Sequence, residues 1–178
     1  MDRNSYVPSA IGDVEVASDG DRWALVFVKD LRHPPERVWS ALTDPAELDQ
    51  WAPFRANRGL GSTGEATLTM VDGATEVPLA AIVTLAEEPA LLEYTWGDDT
   101  LRWSLTPTDF GTRLTLRHST EQRPIVPMVA AGWHICLDVM ALLIDGEPIG
   151  VIRGNEARDF GWQDLNDAYA KMLNIDGD

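Results

Sequence analysis

Alternating apolar and polar residues predict seven β-strands along this chain. Two alternating segments, IGDVEVA and RWALVFVKDL, flank the turn-rich tetrapeptide SDGD and predict a first hairpin. Five more segments follow from Glu65 onward, and they are EATLTMV, TEVPLAAIVTLA, ALLEYTW, TLRWSLT and TRLTLRHS. Turn signals rather than helical patterns separate these five. Closely spaced strands of this kind predict an antiparallel meander, not parallel strands joined by crossover helices.

Between the first hairpin and the meander, the phrase HPPERVWSALTDPAELDQWAPF (residues 33–54, the hinge) predicts two short helices. Pro35 suits the first turn of a helix, and the residue before Pro45 is pushed out of the helical region, so the first helix ends there. Asp44 is a good N-cap for the second helix, and Glu47 is placed to complete a capping box. The hinge therefore predicts two helices set at an angle to each other.

The longest helical pattern, from about Pro127 to Gly146, is apolar on two faces. One face repeats at steps of three and four residues and holds Val129, Trp133, Cys136, Leu137, Met140 and Ile144. The opposite face is also apolar, which leaves His134, Asp138 and Asp145 as a narrow polar stripe. A helix with this pattern is buried on two sides. The sheet covers one side, and either the last helical segment, FGWQDLNDAYAKML, or a second subunit in a homodimer covers the other.

The length of 178 residues suits a single hydrophobic core. We predict that residues 1–10 form a loose N-terminus and that residues 11–146 form the main domain. Residues 147–178 are predicted to form a loop and a helix that pack on the same domain.

Charge and cysteine content narrow the possible partners and location. With 29 acidic and 14 basic residues the formal charge is -15, which disfavours nucleic acid and anionic membrane surfaces. The only cysteine is Cys136, so no internal disulfide can form, and no leader pattern is visible. These features predict a cytoplasmic protein. Residues 125–144 have the length of a membrane span, but His134 and Asp138 near their middle argue against that reading.

Several of these segments carry a resemblance to a known superfamily. The phrase HPPERVWSALTDPAELDQW, the later YTW and GTRLTL strands and the helix GWHICLDVMALLIDG resemble the SRPBCC superfamily of START and birch-pollen-allergen-like helix-grip proteins. More narrowly, residues 11–145 resemble bacterial homologues of the activator of the ninety-kilodalton heat-shock-protein ATPase. The resemblance implies an α+β helix-grip fold, in which an antiparallel sheet wraps around a long C-terminal helix and two short helices close the grip.

The same resemblance implies an apolar cavity between the long helix and the sheet, and a non-enzymatic protein that binds a small hydrophobic ligand there. The residues that it places on the cavity wall are Trp51, Phe54, Trp96, Trp103, Trp133, Leu137 and Ala141. Aromatic walls with few polar groups suit apolar ligands. The same side chains could instead pack together as a filled core, and the sequence leaves that alternative open.

Two further functions stay open. His134 and Asp138 lie four residues apart on one helix and could handle protons, as in polyketide aromatase/cyclases of the same superfamily. This alternative requires both side chains to face the cavity. A chaperone-related role in the stress response rests on the family resemblance alone.

Other motifs predict neither a cofactor nor a metal. GLGSTG (residues 59–64) matches the letters of a dinucleotide fingerprint, but a strand follows it where that fingerprint needs a helix. His33 and His118 stand apart from any carboxylate cluster, so no metal-ligand spacing is present. Cys136 lies on an apolar helix face, where cysteine usually behaves as a small unreactive hydrophobe.

Overall fold

A computed structural model describes residues 2–175, and eight strands form its single sheet. The strands are β1 (Asp13–Asp19), β2 (Arg22–Leu31), β3 (Phe54–Ala56), β4 (Gly64–Asp72), β5 (Thr75–Glu87), β6 (Leu91–Trp96), β7 (Asp99–Thr108) and β8 (Gly111–Thr120). All neighbours are antiparallel, in the order β1-β2-β8-β7-β6-β5-β4-β3, so the predicted meander is confirmed. The alternation missed β3, because three residues are too few to show a period. Residue 1 of the predicted N-terminal part and residues 176–178 of the predicted C-terminal part lie outside the described residues.

The hinge carries the chain from β2, the second strand of the sheet, to the opposite edge. Its helices are α1 (Pro35–Thr43) and α2 (Pro45–Leu48), and β3 follows them at the edge opposite β1. From β3 the meander returns strand by strand until β8 pairs with β2. The loop GLGSTG accordingly leads into the antiparallel strand β4, which is not the setting of a dinucleotide site.

Asp44 caps α2 as predicted, but Glu47 does not complete a capping box. The Asp44 Oδ1 atom accepts hydrogen bonds from the N–H groups of Ala46 and Glu47, at 2.8 and 3.1 Å. The Glu47 carboxylate instead accepts from Arg37 and Ser40 of α1, both at 2.6 Å. The reason is that α2 is only one turn long and lies beside α1, so Glu47 joins the two helices rather than closing its own.

The long helix α3 (Val126–Ile144) is covered by the sheet on one side and by α4 (Trp162–Leu173) on the other. Thirteen of its nineteen residues are buried, which confirms the predicted two-sided burial. The stretch Arg123–Ile144 is long and apolar enough to cross a membrane. Most of it is buried inside the protein, as in the core helix of a soluble domain.

Residues 147–161, here named the crossing segment, connect α3 to α4 and end in a 3₁₀ helix, Gly154–Phe160. Asn155 bonds through its backbone N and its Nδ2 to the carboxylate of Asp72 at the end of β4, at 2.8 and 2.7 Å. Arg153 reaches the residues that follow α2, and Ile152 is 1% exposed. The crossing segment therefore covers the side of the grip between α3 and the β3–β4 edge.

The β7–β8 turn packs closely against the end of β2, and Gly111 provides the space. Its φ is 146°, and a Cβ there would collide with the carbonyl oxygen of Leu31 and come within 2.8 Å of the backbone N of His33. We expect Gly111→Ala to lower the free energy of unfolding by about 3 kcal/mol or more, because conformation and space are both unfavourable. Urea denaturation measures the loss.

Gly73→Ala is the matched control for this substitution. Gly73 also has a positive φ, 59°, but a Cβ there would meet nothing within 4 Å. The control should cost only about 1 kcal/mol, the ordinary penalty of a left-handed residue. Equal losses in the two variants would contradict the close approach at Gly111.

Candidate functional site

Aromatic side chains fill the space between α3, the sheet and the hinge. The aromatic cluster consists of Trp51, Phe54, Tyr94, Trp96, Trp103 and Trp133. Its rings meet edge to face, with centroids 6.1 Å apart for Trp51 and Trp103 and 5.3 Å apart for Trp103 and Trp133. Every member except Trp96 is at most 3% exposed. These rings form a packed core at the centre of the grip.

The seven predicted wall residues occupy three different environments. Trp51, Phe54, Trp103 and Leu137 are fully buried in the packed core. Trp96 and Trp133 lie at the edge of this core and line an open pocket. Ala141 lies further along α3 and lines a separate groove. The sequence could not separate these three groups, because all seven side chains follow the same apolar pattern.

Hydrogen bonds hold most of the tryptophan rings in place. The indole N–H groups of Trp51, Trp103 and Trp133 each donate to an acceptor 2.9 to 3.1 Å away. The Nε1 atom of Trp96 is buried and has no hydrogen-bond partner among the described residues. A buried donor without a partner costs about 1–3 kcal/mol. Trp96 therefore has an unused donor at the edge of the core.

Beside Trp96 and Trp133 lies a pocket of about 220 Å³, here named the apolar pocket. Helix α3 contributes Val129, Gly132, Trp133 and Cys136. The crossing segment and the start of α4 contribute Ile152, Arg153, Gly154, Ala157 and Trp162. The hinge and the sheet contribute Pro53, Trp96 and His118. None of these described lining residues is acidic, in a chain that has 29 acidic residues.

His118 holds Trp133 in the wall of this pocket. Its Nδ1 accepts the indole N–H of Trp133 at 2.9 Å, and its Nε2 lies 2.8 Å from a carboxylate oxygen of Asp99. Asp99 in turn pairs with Arg22 at 2.9 Å. Both ring nitrogens of His118 are thus engaged, so this histidine positions a ring rather than transferring protons. Sequence reasoning missed this role because Asp99 and Trp133 lie on other elements.

Cys136 lines the same pocket and is 4% exposed. Burial raises the pKa of its thiol to about 12. The thiolate is therefore scarce at neutral pH, and Cys136 acts as an apolar part of the wall.

His134 and Asp138 of the predicted polar stripe are both buried, and they belong to a continuous polar network. Asp138 accepts hydrogen bonds from the Tyr6 hydroxyl (3.0 Å), from the Ser9 backbone N and Oγ (both 2.8 Å) and from the Lys29 Nζ (2.7 Å). Residues 6–9, for which the sequence predicted a loose N-terminus, thus contact α3 directly. The carboxylate has a donor for each of its lone-pair positions.

Both nitrogens of His134 are also engaged. Nε2 lies 3.1 Å from the Ser9 Oγ and Nδ1 lies 2.7 Å from the Tyr169 hydroxyl, which accepts the N–H of Gly12 at 3.1 Å. The Ser9 hydroxyl uses its one hydrogen to donate to Asp138, so it can only accept from His134. All these bonds are therefore satisfied when Nε2 of His134 carries the hydrogen and Nδ1 accepts from the Tyr169 hydroxyl. The network ties the N-terminal segment and α4 to α3.

The electrostatics of Asp138 agree with a structural role. Burial alone would raise the pKa of this carboxyl group. The Nε2 of His134, which lies 3.4 Å from Oδ2, and the charge and hydrogen bond of Lys29, helped by the N–H of Ser9, outweigh that effect and hold the pKa well below its usual range. Asp138 is therefore ionised at neutral pH and already saturated with donors, which makes it a poor general base.

Beyond Asp138 lies a groove of about 480 Å³, here named the polar groove. It is bounded by residues 5–9, by the end of β2 and by α3, and its wall carries the three carboxylates Asp30, Asp138 and Asp145. Ala141 is the predicted wall residue that lies here. The polar groove thus mixes carboxylates with the basic side chains of Lys29, Arg32 and His33, whereas the described wall of the apolar pocket has no carboxylate.

We expect Asp138→Asn to lower the free energy of unfolding by about 3 kcal/mol or more at pH 7, because it leaves Lys29 without its buried partner. A depressed folded pKa stabilises the native state above the unfolded pKa of about 3.9, and this stability is lost as the pH falls through the folded value. The difference in the free energy of unfolding between wild type and Asp138→Asn should therefore be constant from pH 7 to about pH 5 and become smaller below pH 4. Urea denaturation across this range measures it.

Asp145→Asn serves as the control for Asp138→Asn. The Asp145 side chain is 55% exposed and pairs with His33 at 2.6 Å, so its loss should cost at most about 1 kcal/mol. A similar small loss at Asp138, or a difference that does not shrink in acid, would contradict the structural role of the network.

An open antiparallel sheet that grips a long C-terminal helix makes this chain an α+β helix-grip protein of the SRPBCC type. The chain belongs to the family described as activator of Hsp90 ATPase homolog 1-like protein, whose sequence profile matches residues 32–145. The crossing segment and α4 lie beyond that match.

Solved structures of low sequence identity share the fold. CalU16 from Micromonospora echinospora is 20% identical, with a TM-score of 0.64, over 90% of this chain and 96% of that one. EF2215 from Enterococcus faecalis is 16% identical, with a TM-score of 0.66, over 93% of both chains. An AHSA1-like protein from Aeromonas hydrophila is 18% identical, with a TM-score of 0.59, over 69% of this chain and 92% of that one. A comparison with curated proteins finds no match.

Proposed function

We propose that this protein binds a small hydrophobic molecule in the apolar pocket, without catalysing a reaction and without a cofactor or metal. The supporting observation is a concavity of about 220 Å³ walled by Trp96, Trp133 and Trp162 at the edge of a filled core. In another protein an apolar cavity of about 150 Å³ holds benzene, so a single ring with short substituents fits this volume. The predicted cytoplasmic location stays a prediction.

The proposal puts the ligand at the edge of the grip rather than at its centre. The rings of Trp51, Trp103 and Trp133 already fill the centre by contacting one another. A ligand there would have to separate edge-to-face pairs that contribute about 0.5–1.5 kcal/mol each beyond their burial. The apolar pocket needs no such rearrangement.

The two alternative functions have weaker support. An aromatase/cyclase-like reaction would need a free nitrogen on His134 or a free oxygen on Asp138, and all four atoms have partners in the described structure. A chaperone-related role rests on the family description alone. Binding of a hydrophobic ligand is therefore the best-supported of the three functions.

Gly132 allows a direct test of the proposal. It lines the apolar pocket from α3, and a Cβ there would meet nothing within 4 Å, so a larger side chain can enter the pocket without striking the backbone. We expect Gly132→Leu to abolish the binding of neutral probes such as toluene and ethylbenzene. It should also stabilise the fold by up to about 1 kcal/mol, because glycine is unfavourable inside a helix. Tryptophan fluorescence titration and the shift of Tm with probe measure both effects.

Ala141→Leu is the matched control, since it enlarges a side chain of the same helix that faces the polar groove instead. In this variant the probes should bind as they do to the wild type, with saturation at one molecule per chain. Binding that never saturates, or that survives Gly132→Leu unchanged, would count against the apolar pocket as the site.

A further inference from the structure

We infer that the ligand of the apolar pocket is a monocyclic aromatic carboxylate, held by ring contacts with the tryptophans and by a charged hydrogen bond from Arg153. The inference rests on the proposed function and deepens it by naming the class of ligand. It follows from Arg153, whose two hydrogen bonds leave three of its five N–H donors without a partner among the described residues.

Arg153 is a buried cation with only loose partners. Its side chain is 8% exposed and lies in the pocket wall. One terminal nitrogen donates to the carbonyl oxygen of Ala52 at 3.3 Å, and the other reaches the Asp49 Oδ1 at 3.1 Å. Charge-assisted bonds of this type are usually about 2.7–2.9 Å long, and a guanidinium has five N–H donors. These two bonds use two of the five donors, and both are long.

The partner carboxylate of Arg153 is also shared. The same Oδ1 atom of Asp49 accepts a hydrogen bond from the Arg55 Nε at the shorter distance of 2.9 Å. The Asp49 side chain is 46% exposed, so water screens its charge far more than that of Arg153. A buried guanidinium in this position favours a second anion on the pocket side.

The rest of the wall contributes no anion that would compete for Arg153. The Nε1 of Trp96 is buried, and both ring nitrogens of His118 are taken. No described residue of the wall is acidic, whereas the polar groove along the same helix mixes three carboxylates with Lys29, Arg32 and His33. In a chain with a formal charge of -15, a described wall that has a guanidinium and no carboxylate favours the entry of an anion.

The body of the ligand is set by volume and by the surrounding rings. About 220 Å³ accommodates one six-membered ring with a short polar substituent. The walls offered by Trp96, Trp133 and Trp162 favour an aromatic ring, because edge-to-face and offset contacts add to area burial. A benzoate-sized molecule satisfies both conditions.

Benzoate and benzyl alcohol provide the test, since they have similar size and differ in charge. We expect the wild-type protein to bind benzoate at least about tenfold more tightly than benzyl alcohol, as measured by tryptophan fluorescence titration. Arg153→Met keeps an apolar stem and removes the charge. This variant should lose about tenfold or more in benzoate affinity, while its affinity for benzyl alcohol stays within about twofold of wild type.

Arg153→Met also removes the ion pair between Arg153 and Asp49, and Asp49→Asn is the control for that loss. It removes the same ion pair but keeps Arg153 in the pocket wall. Benzoate affinity should be unchanged or higher in this variant, since Arg153 is then freer to bind the ligand. Far-UV circular dichroism and Tm establish that both variants are folded.

The outcomes separate this inference from the proposed function. Equal affinities for benzoate and benzyl alcohol, or an equal loss of both in Arg153→Met, would overturn the carboxylate and leave hydrophobic binding standing. Failure of both probes to bind the wild-type protein would overturn the proposed function together with this inference. The inference would also be overturned if Asp49→Asn removed the preference for benzoate as fully as Arg153→Met. The preference would then depend on how the crossing segment is positioned and not on a direct bond from Arg153.

Discussion

The contact on which the rest of this structure depends is the insertion of the Trp133 ring between α3 and the sheet. The ring lies 5.3 Å from that of Trp103 on one side and 6.0 Å from that of Trp96 on another, and its N–H is held by His118. Rotation of the ring would break this bond and both ring contacts, so the indole is held in one orientation. The apolar pocket begins where the described packing around Trp133 ends.

The polar groove and the apolar pocket along α3 differ in how completely their polar groups are hydrogen-bonded. Beside the polar groove, Asp138 has a donor for every lone pair and His134 has a partner at each nitrogen. These groups are therefore already engaged in holding the N-terminal segment and α4 in place. At the apolar pocket, the guanidinium of Arg153 has only two long hydrogen bonds and retains donors for a ligand. Ligand binding gains most where donors are buried but not yet satisfied.

Local patterns in the sequence predicted the elements well, because strands and helices arise from neighbours in the chain. The meander, the hinge helices and the two-sided burial of α3 all follow from period, proline and capping. Local patterns did not predict Glu47 bonding to α1 or the burial of Asp138, since both depend on residues brought together by folding. Of the predicted wall residues only Trp96 and Trp133 line the candidate site. Periodicity also placed Val129 and Cys136 on the helix face of Trp133, but it could not show that the crossing segment folds back to complete the wall.

Part of the wall of the apolar pocket lies outside the residues that match the family. The family match ends at residue 145, yet Ile152, Arg153, Ala157 and Trp162 all line the apolar pocket. The grip itself is thus built by the matched residues, while the charged corner and one aromatic wall come from the chain beyond them. The guanidinium to which we assign the carboxylate lies outside the part of the chain that the family profile matches. In the proposal, the preference for an anion therefore comes from the crossing segment, while the helix-grip fold supplies the surface against which that segment packs.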